Sequence, residues 1–119
     1  MLISIAWECK KLKREPIYMN IDRNYIAEQL GFSDKDIDML LTMFHANANS
    51  SLEEMYKMIE KQDMQGIVDT AHAISGSAGT LKLDEIYELA KEIEMAAKMG
   101  QNIDYHVYHK RLKILLDIF

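Results

Sequence analysis

Apolar residues recur at intervals of three and four along most of this chain. The longest run follows Ser33, where Ile37, Leu40, Leu41, Phe44, Ala48, Leu52, Met55 and Ile59 keep one face apolar as far as Lys61. That spacing predicts one long amphipathic helix. Ser33 with Asp36 resembles a capping box with a shortened acid, and Gln62 with Asp63 supplies a tight turn. A second helix is expected over about residues 64–81, in which Ile67, Ala71, Ile74, Ala78 and Leu81 fall within roughly 40° of one line at about 100° per residue. A third, capped by Asp84 and stopped by Gly100, buries Ile86, Leu89, Ala90, Ile93 and Ala97. A fourth, capped by Asn102, repeats Tyr105, Tyr108, Leu112, Leu115 and Phe119. Ahead of these, Asp22 can cap a short helix through Ile26 and Leu30 that Gly31 ends in a left-handed conformation. Residues 1 to 14 fit either a helix ending before Pro16 or an extended segment through Leu2, Ile3, Ile5 and Trp7.

Short connections force consecutive helices to be antiparallel neighbours. The expected fold is therefore all-α, an antiparallel up-down-up-down four-helix bundle with an N-terminal helical extension. Residues 1–32 form the extension, including the short helix packed on the bundle, and residues 33–119 form the bundle itself. Composition agrees with a single helical domain: 119 residues, 49% hydrophobic, with one proline and five glycines to interrupt helices. The net charge of −5 disfavours nucleic acid as the main partner, and the one cationic cluster, Lys10, Lys11, Lys13 and Arg14, reads as a solvated helix face. A single cysteine, Cys9, excludes an intramolecular disulfide and a thiolate metal cage. The opening segment lacks a basic n-region, and no stretch has the length of a membrane span. A soluble, cytoplasmic chain is expected.

Within the second helix the segment Ala71-His72-Ala73-Ile74-Ser75-Gly76-Ser77-Ala78-Gly79 is hard to explain by folding alone. His72 lies about 140° from the apolar seam, Gly76 about 180° and Gly79 about 120°, so all three look outward. A glycine inside a helix destabilises it by roughly 0.5–1 kcal/mol relative to alanine. Two of them here weaken the helix where the core asks for no small residue, and they leave bare backbone beside an exposed imidazole. Another surface can then approach the ring closely. A solvated imidazole keeps a large neutral fraction at cytoplasmic pH, so His72 can act as a nucleophile without a base. Ser77, about 80° from the seam, is expected to be structural.

These residues carry a resemblance. The stretch from Ala71 to Gly79, with Leu81, Leu89, Glu94 and Ala97 following, resembles the signature of histidine-containing phosphotransfer (HPt) domains, matched by His72, Ile74, Gly76, Ser77 and Gly79 over about residues 33–119. The resemblance implies a phosphorelay intermediate of two-component signalling. It would accept a phosphoryl group on His72 from a receiver-domain aspartate or a histidine kinase and pass it to a response regulator. In such a carrier Gly76 and Gly79 would allow close approach, and Ser75 and Lys82 would contact the phosphoryl oxygens. The family's usual lysine three residues after the histidine is Ser75 here, which supplies no cation, and Lys82 stands where a glycine is common. The expected partners are receiver domains of response regulators or hybrid kinases, with no nucleic acid and no membrane insertion. The chain would need no cofactor of its own, the magnesium ion being brought by the receiver. With no nucleotide-binding glycine loop, it is expected to act as a carrier and not as a stand-alone enzyme.

Two alternatives stay open. A helical docking domain could bind receivers without transferring, a reading motivated by the missing lysine. A metal- or haem-binding bundle is suggested by four histidines and nine methionines, although methionine at helical spacing is usually core filler. His106 and His109 share a helix face, but no carboxylate or cysteine at ligand spacing accompanies them. His45 reads as a surface or boundary residue. The nearest match to a di-iron Glu-x-x-His pair is Asp69 with His72.

Overall fold

The computed structural model describes residues 23–118. Five helices account for the regular structure among them: α1 (Arg23–Leu30), α2 (Asp34–Glu60), α3 (Met64–Thr80), α4 (Asp84–Lys98) and α5 (Tyr105–Ile118). The readings that rest on residues 1 to 14, Pro16, Asp22 and Phe119 lie outside the described residues.

Local chemistry sets most of the boundaries. Gly31 ends α1 at φ +73° with its N–H donating to Ala27 O at 2.7 Å, a left-handed closure that glycine adopts without steric cost. Ser33 Oγ accepts from the Asp36 N–H at 3.2 Å and opens α2. Asp63 Oδ1 accepts from the Gly66 N–H at 3.0 Å and opens α3, after Gln62 has turned the chain at φ +57°. Two expected caps are corrected. Leu83, not Asp84, occupies the cap position of α4; its side chain is buried in the core and, having no polar atom, makes no cap bond. Asp84 and Glu85 instead put negative charge into the first turn, where the helix dipole favours it. At the last helix Asp104 replaces Asn102, its Oδ1 accepting from the Val107 N–H at 3.4 Å.

The predicted apolar faces meet in one core. Ile37, Phe44, Leu52 and Met55 of α2, Ile67, Ala71, Ile74 and Ala78 of α3, and Ile86, Ala90, Ile93 and Ala97 of α4 join Leu112 and Leu116 of α5. Leu116 was not among the positions expected from spacing, whereas Tyr105, Tyr108 and Leu115 are only partly buried. Each of these four helices packs on its neighbour in sequence, and α5 also packs on α2, closing a ring. Helix α1 lies against α2 and contributes Ile26. The most extensive interface joins α3 to α4, where Ala71, Ala78, Ala90 and Ala97 are all buried and their small side chains admit close approach of the two backbones.

The ring closes at α5 with polar help. His109 Nε2–H donates to Leu52 O at 2.9 Å, Lys113 Nζ donates to Asn49 Oδ1 at 3.1 Å, and His106 Nε2 lies 2.7 Å from Glu60 Oε2. Among the described residues no helix is long and apolar enough to cross a membrane.

Ile93 is fully buried while Ile114 is half exposed. Ile93→Ala is expected to lower unfolding free energy by about 2–5 kcal/mol and Ile114→Ala to change it by about 0.5 kcal/mol or less, as measured by urea denaturation followed by circular dichroism.

Candidate functional site

The site is assembled on the facing flanks of α3 and α4. His72 is 68% exposed, yet its Nδ1 lies 2.9 Å from Oε2 of Glu94, a carboxylate that is 3% exposed. A second group meets the same carboxylate from α3. Ser75 Oγ lies 3.3 Å from Glu94 Oε1 and 3.1 Å from the His72 carbonyl, so its one proton serves these two acceptors. From α4 itself Lys91 Nζ stands 3.6 Å from Glu94 Oε1, one turn away on the same helix face, with the lysine 42% exposed. The carboxylate is thus ringed by an imidazole, a hydroxyl and an ammonium.

Opposing effects set its charge state. Burial pushes the Glu94 carboxyl upward, but the hydrogen bond from His72, the Lys91 charge, the His72 charge and the hydrogen bond from Ser75 outweigh it. The pKa lies below the ordinary carboxylate value. An ionised Glu94 can only accept, so Nδ1 of a neutral His72 must be its protonated nitrogen. The lone pair of that ring then belongs to Nε2. This is the arrangement by which a carboxylate fixes an imidazole tautomer and orients the ring.

The structure redistributes the roles expected of neighbouring residues. Ser75 is only 2% exposed and is turned to Glu94, so it supports the histidine from beneath instead of meeting a group carried above it. The serine read as structural, Ser77, is exposed. Ser75 and Ser77 flank the apolar seam at equal angles of about 80° on opposite sides, and it is the Ser75 flank that α4 covers. Lys82 lies past the end of the histidine helix. Helix α3 ends at Thr80, Leu81 caps it, and Lys82 follows at φ +61°. Its direction therefore does not follow from the helical period.

The two glycines differ. Gly76 is exposed, and a Cβ added there would meet nothing within 4 Å, so the backbone beside His72 is open. At Gly79 a Cβ would come 3.2 Å from Tyr87 Cδ1. That glycine admits the tyrosine of α4 and serves the helix interface as well as the surface. Asp69, one turn before His72, accepts from Gln65 Nε2 at 2.9 Å.

The remaining histidines are engaged elsewhere. His106 finds in Glu60 of α2 a carboxylate that spacing within its own helix did not reveal, and both His106 and His109 lie against the Tyr56 ring, with centroids 5.3 and 5.7 Å away. His45 is half-buried beside Asn49, with 3.2 Å between Nδ1 and Nδ2. No group of three or more His, Cys, Asp or Glu among the described residues could hold a metal ion.

Sequence reasoning missed Glu94 and Lys91 as partners of the histidine. The available signal was Glu94 itself, an acidic residue four positions after Ala90 and next to Ile93, at the edge of a stripe that is otherwise apolar.

Two outcomes test this geometry. Because the folded pKa of Glu94 is depressed, its ionised form contributes stability that is fully present above the unfolded value and lost as pH falls through the folded one. The difference in Tm between wild type and Glu94→Gln should be largest near neutrality and shrink on acidification below about pH 4.3. Gly76→Ala should stabilise the fold by about 0.5–1 kcal/mol in urea denaturation, since nothing obstructs the added methyl group.

Comparison with known proteins supplies one match. A family model described as "Hpt domain" matches residues 39–117, a span that includes α3, α4 and the whole His72 site. No curated protein and no solved structure matches the chain.

Proposed function

The chain belongs to the Hpt domain family and so has a phosphotransfer role in two-component signalling; from that premise we propose that Nε2 of His72 carries the phosphoryl group. The group comes from a receiver-domain aspartate or a histidine kinase and leaves to a response regulator. The observation that carries this reading is the hydrogen bond from His72 Nδ1 to buried Glu94, which holds the proton on one ring nitrogen and leaves the other as the nucleophile on a well-exposed side chain.

The transfer balances on these atoms. The Nε2 lone pair forms the N–P bond in line as the P–O bond of the aspartyl phosphate breaks, and the departing electron pair returns to the aspartate carboxylate. Nδ1 keeps its proton. The phosphorylated ring is then positively charged, and that charge faces the Glu94 carboxylate at 2.9 Å, which favours the product over an unpartnered imidazolium. Donation to the next receiver runs the same steps in reverse. Positioning and charge neutralisation supply most of the catalysis in such transfers.

This assignment makes the domain a carrier, with the magnesium ion brought by the partner receiver. Gly76 provides the open backbone over which that partner approaches. Tyr87 and Met95 are exposed on α4 with Lys91 between them at intervals of four, a face with both apolar area and charge for docking. We assign the four helices α2 to α5 to an antiparallel up-down-up-down bundle, with α1 packed on α2, and the protein to the cytoplasm.

Intact mass spectrometry at neutral pH after incubation with phosphoramidate tests the acceptor. One acid-labile phosphoryl group is expected on wild type and none on His72→Gln. Labelling of both would move the site to another residue. A wild type that accepts nothing from phosphoramidate or from a phosphorylated receiver, while still binding that receiver, would instead select a docking domain without transfer.

A further inference from the structure

Resting on the phosphoryl-acceptor reading, we propose that Lys91 supplies the cation for the phosphoryl group on His72, from the helix opposite the histidine. The need for one follows from charge. A phosphoryl group brings close to two negative charges at neutral pH to a ring whose other nitrogen already touches the ionised, almost fully buried Glu94. The positive charge of the phosphorylated ring offsets only part of that sum.

The position after the histidine where a cation could have come from α3 is filled by Ser75, which is buried and engaged below the ring. Lys82 stands beyond the end of α3. Lys91 alone of these is joined to the site, through its 3.6 Å contact with Glu94 Oε1. Its anchoring is also loose enough to be shared. At 3.6 Å the ion pair is longer than a charge-assisted hydrogen bond of about 2.7–2.9 Å, and the side chain is 42% exposed, so the ammonium is not locked to the carboxylate. A lysine has three donors. One can stay toward Glu94 Oε1 while the others turn to phosphoryl oxygens that appear on the solvent side.

Lys91 therefore acts twice. In the free protein it helps keep Glu94 ionised, and in the phosphorylated protein and the transition state before it the lysine contacts the transferred group. The second role is the one proposed, and it has its own signature. Phosphoramidate labelling, in which the P–N bond of the donor breaks and ammonia departs as the His72 N–P bond forms, needs no partner, so a lysine that only serves docking would not affect it. The rate would be followed by intact mass spectrometry for wild type, Lys91→Met, Lys91→Arg and Lys82→Gln, each checked for helicity by circular dichroism. The nitrogen-15 shifts of the His72 ring in the unphosphorylated proteins would report the tautomer.

Lys91→Met, which keeps the apolar stem, should slow labelling by about tenfold, at the lower end of what a hydrogen bond to a charged group contributes. Lys91→Arg should stay within about threefold of wild type, Lys82→Gln should match it, and the ring should keep its proton on Nδ1 in all four. Labelling of Lys91→Met at the wild-type rate would overturn the proposal while leaving His72 as the acceptor. A shifted tautomer in Lys91→Met would overturn it too, by assigning the effect to Glu94. Absence of label on wild type itself would sink the acceptor reading and this one with it. Should Lys91→Met fail to fold, the comparison falls to Lys91→Gln under the same criteria.

Discussion

The carboxylate of Glu94 is the constraint around which the rest of the site is arranged. An ionised group that is 3% exposed would be strongly disfavoured if left without partners. Here the partners come from both helices of the most extensive interface among the described residues: His72 and Ser75 from α3, Lys91 from α4. Among the described residues no buried side-chain polar atom lacks a hydrogen-bond partner. Removing any one of the three would leave the others to hold a buried charge, which couples the orientation of an exposed histidine to the integrity of the core beneath it.

That coupling depends on how closely α3 and α4 approach. Ala71 and Ala78 on one helix and Ala90 and Ala97 on the other are buried small side chains, and Gly79 adds room for the Tyr87 ring. Larger residues at these positions would separate the helices and lengthen the contacts from Glu94 to His72 and Ser75. The surface property, an imidazole with its lone pair on the outer nitrogen, is therefore fixed by the packing beneath it. The exposed His72 could not hold such geometry by itself, since solvent would compete for both ring nitrogens.

Helical periodicity made most of the fold legible in the sequence. The stripes of α2, α3 and α4 occupy the core as spacing required, and Ser33, Asp63, Gly31 and Gly100 end or begin helices where their chemistry says they should. Errors gathered where tertiary burial overruled local preference. Leu83 takes a cap position because the core needs its side chain; the shift from Asn102 to Asp104 is instead a local one between two exposed capping residues, the last helix starting later. The site was half legible. An ideal helical wheel placed His72 and Gly76 on the open side, but it gave Ser75 and Ser77 equal angles from the seam and could not say which flank α4 would cover. Glu94 and Lys91 lie about twenty residues further on, and no period within a single helix brings them to His72.

The helix that bears His72 is bracketed by two turns of the same design. Gln62 and Lys82 are both left-handed, at φ +57° and +61°, and each is followed by a residue whose N–H reaches back five positions, Asp63 to Met58 O and Leu83 to Ala78 O. Left-handed backbone is unfavourable for a residue with a Cβ by roughly 1–2 kcal/mol, and neither position is a glycine. The chain thus tolerates strain at both ends of its functional helix where relief was sterically available. Its stability sits below the limit its architecture allows, and the fold has room to become more robust at those two corners with its interior and its reactive face untouched.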